Sequence, residues 1–180
     1  MIATAQQSTR QPRARKWVGA VVGTRDATRE VDAALVVART ALAWIFVYYG
    51  ASKLFGWWHG GGIHQTSLFF ADTAHLHPGG LFAVVGGVLE FGGAVALALG
   101  LGTRLVGVAL CGDMVMAMIT VTWTNGINSE KVPPGYELNV ALAALALVLA
   151  LLGAGRFSLD AVLGRRIAAR ATGSEMKTPE

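Results

Sequence analysis

The chain has 180 residues and a formal net charge of +4, with 53% hydrophobic residues and 14% Asp, Glu, Lys and Arg, against roughly 25% charged in soluble domains. With a mean hydropathy of +0.50, this balance excludes an ordinary water-soluble domain, and the length supplies one domain. The lone cysteine, Cys111, excludes an intrachain disulfide or dithiol pair. The basic excess lacks the aromatic interleaving of an RNA-binding surface, so no nucleic-acid partner is expected and membrane lipid is.

Residues 1–30 carry Arg10, Arg13, Arg15, Lys16, Arg25 and Arg29. Their only early apolar run, Trp17 to Val22, is too short for a signal peptide, so the segment reads as a basic, partly disordered cytoplasmic arm. Residues 31–160 form the membrane domain and 161–180 a basic cytoplasmic tail. Four runs approach the roughly 20 residues that a spanning helix needs: Ala33 to Lys53, Gly80 to Leu101, Leu105 to Trp123, and the shorter Glu137 to Gly153. The expected fold is all-α, an integral membrane four-helix bundle.

In the first run Arg39, Phe46 and Lys53 recur at heptad spacing, with Ala43 and Gly50 on the same stripe, so that face is expected to line the interior. The loop from Gly56 to Gly79 places Trp57 and Trp58 at the membrane interface and offers Leu68, Phe69 and Phe70 to a short surface helix. It also holds all four histidines, His59, His64, His75 and His77, whose spacing matches no recognisable ligand set, so no metal site is expected. In the second run Glu90 is the only charge between Asp72 and Arg104, flanked by Gly86, Gly93 and Ala94, small residues that admit close packing. The third holds Asp113 and Met114, Met116 and Met118, which alternate and cannot share one helix face. Pro133, Pro134 and Gly135 end the next loop, Tyr136 sits at the interface, and Glu137 stands at the N-terminus of the fourth helix. Gly153 and Gly155 can terminate that helix, and Ser158 can cap an amphipathic helix from Leu159 through Ile167.

Lys and Arg concentrate in the two terminal segments and at Arg104, whereas the other two loops carry only Lys53 and Lys131. The positive-inside rule therefore puts both N and C termini in the cytoplasm. A charge at the centre of a spanning helix costs about 2.5–3.5 kcal/mol and normally finds a partner. Glu90 and Asp113 lie near their span centres, with Arg39 about 6 Å toward the cytoplasm. Arg39 is thus expected to bridge both carboxylates, with Lys53 pairing Glu137 nearer the exterior. The central trio carries one excess negative charge, so one carboxylate is expected to hold a proton. This makes Glu90, Asp113 and Arg39 the candidate catalytic residues as well as a structural clasp.

Arg39 with YGASKLFG (Tyr49 to Gly56), LEFGGAVALALGLGTR (Leu89 to Arg104), GYE (Gly135 to Glu137) and GAGRFSLD (Gly153 to Asp160) occur in order at helix ends. In these pieces the sequence resembles DoxX proteins, small four-span membrane proteins of bacteria and archaea. The resemblance implies a multi-pass protein of a prokaryotic cytoplasmic (plasma) membrane, linked through some members with quinone-coupled sulfur oxidation and oxidative-stress complexes. There is no haem-ligand pattern within the helices, no CxxC and no Gly-rich nucleotide loop. No intrinsic cofactor is therefore expected, and any quinone-linked chemistry calls for a partner carrying the redox centre. The alternatives are a non-catalytic scaffold or assembly subunit, a homo-oligomer among them. A proton or small-solute conduit lacks the inverted repeats and broken helices of transporters.

Overall fold

In the computed structural model, residues 27–128, 130 and 132–175 are described. The basic arm up to residue 26 and the end of the tail lie outside the described residues. Helix α1 runs from Ala27 to Phe55, beginning earlier than its apolar run. A short 3-10 turn at Trp57–His59 leads to α2 (Gly62–Asp72), the helix expected in the loop. Helix α3 covers Gly79–Leu99. Helix α4 covers Thr103–Ala117 and continues through a π-helical turn at Met118–Thr122 into Trp123–Asn125. Helix α5 is Glu137–Leu152, and α6, Leu159–Glu175, occupies the basic tail.

Among the described residues the protein is all-helical, and three helices, α1, α3 and α4 with its extension, are long and apolar enough to cross a bilayer. The fourth helix, α5, is equally apolar but has 16 residues, about 24 Å of rise against a hydrocarbon core of about 30 Å. Two pairs dominate the packing, α1 against α3 and α4 against α5, with α2 laid over α3. The first pair meets backbone to backbone. A β-carbon on Gly50 would lie 2.8 Å from Phe91 Cα, so this crossing requires glycine. The small residues near Glu90 act differently: Gly93 meets the side chains of Val106 and Leu110, and Gly86 lies beside Phe70.

The core is the stripe of α1 (Leu35, Leu42, Ala43, Phe46) packed with Ala94 and Leu97 of α3, Leu110 and Met114 of α4, and Ala146 and Leu149 of α5. The heptad face of α1 does line the interior, with Arg39, Ala43, Phe46 and Gly50 buried and Lys53 half-buried. At one end of the bundle lie the long loop, α2 and the 126–136 connection, where Tyr136 N–H donates to Gly126 O and the Trp123 and Tyr136 rings stack. This end is the loop face. At the other, the terminal face, Asp160 N–H donates to Gly100 O and Arg156 N–H to Asp32 Oδ1.

Candidate functional site

Lys53, near the loop end of α1, reaches inward and donates to Glu90 Oε1 at 2.5 Å. Glu90 is 1% exposed. Asp113 of α4 lies within interacting range of Glu90 and of the lysine. Glu90 Oε2 and Asp113 Oδ2 are both buried and have no hydrogen-bond donor among the described residues. The cluster thus comprises one ammonium, two carboxyls and two unsatisfied acceptor oxygens.

It sits in a cavity of about 460 Å³ between α1, α2, α3, α4 and α5, within the size range of small-molecule sites. Most of the wall is apolar: Phe69, Phe70, Phe82, Leu89, Met116 and Leu142. Thr66, Thr120, Thr122 and Asn139 supply the remaining polar groups, and Tyr49 closes one side. The π turn brings the end of α4 into this wall. Thr122 Oγ1 lies 3.4 Å from Asn139 Oδ1, and Thr120 Oγ1 donates back to Met116 O. Of the methionines, Met114 and Met116 line the cavity, and Met114 is also part of the core.

The expected clasp is corrected in its partners. Arg39 bridges neither Glu90 nor Asp113; its Nη1 donates to Ala154 O at 3.1 Å and its Nη2 to Phe157 O at 2.8 Å. The cause lies in the connection after α5: Ala154 and Phe157 fall between Leu152, where α5 ends, and Leu159, where α6 begins, so their carbonyls stand outside any helical ladder and a planar guanidinium fork can satisfy both. Arg39 also lies against Gly100 at the end of α3, so a β-carbon there would strike the guanidinium, and Gly100 itself has φ +65°. Lys53 likewise does not pair with Glu137, which is exposed; the flexible lysine stem turns inward to Glu90, which has no other cation partner among the described residues.

Two carboxylates at the terminal face carried no sequence expectation of their own. Asp160 accepts from Gly102 N–H at 2.8 Å and Thr103 N–H at 3.0 Å, capping α4 from a distant segment. Asp32 accepts from Arg156 N–H at 2.9 Å. Ser158 does cap α6, its Oγ accepting from Ala161 N–H. Trp57 and Trp58 are about half exposed, with Trp58 stacked on Tyr48. Among the described residues no group of three or more His, Cys, Asp or Glu is placed to hold a metal.

Three long apolar helices around an acid-floored cavity define a small multi-pass membrane protein. The chain belongs to the DoxX family, whose sequence profile matches residues 34–123. That match takes in Arg39, Lys53, Glu90 and Asp113; the GYE and GAGRFSLD pieces lie beyond it. No curated protein and no solved structure matches the chain.

Proposed function

We propose that this protein is the membrane subunit of a quinone-linked oxidoreductase complex in a prokaryotic cytoplasmic membrane, with both termini cytoplasmic. Its cavity would take the quinone head, and a partner protein would carry the redox centre. The observation that carries this reading is the polar floor of an otherwise apolar cavity, where Lys53, Glu90 and Asp113 converge. These residues fit such a ligand. A quinone carbonyl is an acceptor, and Lys53 Nζ is a donor at the cavity wall. The unsatisfied pair Glu90 Oε2 and Asp113 Oδ2 is a natural seat for one proton, which would cancel the excess negative charge of two carboxyls facing one ammonium.

A bound quinone supplies a two-electron, two-proton acceptor whose electrons come from the partner's centre. The chain's part is to hold the head group against the apolar wall of Phe69, Phe70 and Phe82 and present a general acid at the carbonyl. Extraction of the protein in mild detergent, followed by mass analysis of co-purifying lipids, tests this directly. Wild type should retain a quinone, and Glu90→Gln and Lys53→Met should lose it. A wild-type protein that carries a stable protein partner but no quinone would establish the scaffold reading instead.

A further inference from the structure

Helices α1, α3, α4 and α5 all change character at the same depth. On α3, which runs from the loop face to the terminal face, the cavity lining ends at Glu90, and Ala94 and Leu97 beyond it are fully buried. On α4, running the opposite way, Leu110 is fully buried and the lining begins at Gly112 and Asp113. On α5 the lining ends at Leu142, with Ala146 and Leu149 sealed beneath. On α1 it is confined to Tyr49 and Lys53, with Leu42 and Phe46 below. Glu90 and Asp113 are therefore the floor of the cavity.

Under that floor Leu42, Phe46, Leu97, Leu110 and Leu149 are each 0% exposed. The layer is deep: Glu90 to Leu97 is about 10 Å of helix. Beneath it the Arg39 bonds to Ala154 and Phe157 close the terminal end. Above the floor, hydrogen-bonding groups recur along the wall from Tyr49 and Thr120 to Thr122 and Asn139. Thr122 stands about 13 Å along α4 from Asp113, toward the loop face. The titratable groups lining the cavity are Tyr49 and Lys53 from α1, Glu90 from α3 and Asp113 from α4; α2 and α5 contribute only neutral polar groups, Thr66 and Asn139.

We propose that the cavity is a half-channel, so that the Lys53, Glu90 and Asp113 cluster exchanges protons and small polar solutes with water at the loop face only. The packed layer beneath denies the same exchange to the terminal face. Any proton given up at this site is then replaced from the loop side, and the bundle is not a through-conduit. This deepens the reading above and rests on it for the use made of the proton, but not for the route.

The test is thiol accessibility. In a Cys111→Ala background, Asp113→Cys and Ala117→Cys are introduced singly, and membrane vesicles of both orientations are treated with a membrane-impermeant cationic methanethiosulfonate. His64→Cys, on the exposed part of α2, reports which face is outward. Both cavity thiols should react an order of magnitude faster from the loop face. Equal or faster reaction from the terminal face overturns the proposal. So does a thiol that reacts after denaturation but from neither face in the folded protein, since water then never reaches the floor. Ala117→Cys leaves all three charged side chains in place and keeps the test decisive if Asp113→Cys fails to accumulate. Because the reading needs no ligand, a protein without quinone can still show one-sided access, and a quinone-binding protein can still fail it.

Discussion

The two ends of the bundle bury charge by opposite means. At the terminal face, among the described residues, the charges are directed to backbone: Arg39 through both terminal nitrogens to the carbonyls of Ala154 and Phe157, with its Nε buried and unpartnered, Asp32 to Arg156 N–H, and Asp160 to the amides that open α4. In the loop half the charges meet one another, and Glu90 Oε2 and Asp113 Oδ2 are left over beside a cavity. A charge bonded to backbone groups of a distant segment fixes the fold, because it ties that segment in place. A charge facing another across open space remains available to a ligand.

The largest effect comes from breaking the frame that both halves share. Gly50→Val drives a side chain into the Phe91 backbone, and backbone cannot move aside as a flexible side chain can. No monodisperse folded protein should be recovered on size-exclusion chromatography in detergent. Arg39→Met is next and sharpens the contrast. It strips the donors from two carbonyls, at about 1–3 kcal/mol for each buried group left unsatisfied, so thermal unfolding in detergent should show a loss of about 3 kcal/mol. Quinone retention per folded molecule should stay at the wild-type level. An Arg39→Met protein that is stable but empty would place Arg39 functionally in the loop half and collapse the distinction.

Glu90→Gln inverts the pattern. The amide oxygen still accepts from Lys53, so the stability change should be about 1 kcal/mol, while bound quinone is lost. Alanine at the same position should unfold the protein more readily than glutamine, because it leaves Lys53 facing only Asp113. The smallest effect is Ser158→Ala, which removes the cap of α6 for about 1 kcal/mol and leaves ligand retention unchanged.

Much of this division can be read in the sequence, but not the pairings. A lone Glu90 in an apolar run announces a partnered carboxylate, and the heptad stripe of α1 correctly brings Lys53 and Arg39 to the interior. The centres of apolar runs misplace the depth of charged side chains, and with it their partners. Helix α1 extends to Phe55, and its lysine stem reaches back toward the middle, so the more distant residue in sequence depth is the nearer one in space. The ligands of Arg39 carry no sequence signal at all: only the path of the connection between α5 and α6 decides which of its carbonyls face the guanidinium. Asp32 and Asp160 were hidden among flanking charges for the same reason, although Asp160, two residues past a capping serine, lies where a turn can aim a carboxylate at a neighbouring helix. The family profile, ending at residue 123, also stops short of the α5 wall that completes the cavity.

The π turn at Met118–Thr122 has a further consequence, for chain length. A π turn holds one residue more than the α-helical turn it replaces, so a residue can leave this segment without breaking the helix. Deleting Ile119, whose side chain is 63% exposed, would restore ordinary winding while the residues after it keep their facing, so Thr122 should stay beside Asn139. Among related sequences, a one-residue gap at this point would therefore mark an intact span with the same cavity lining, rather than a trimmed loop.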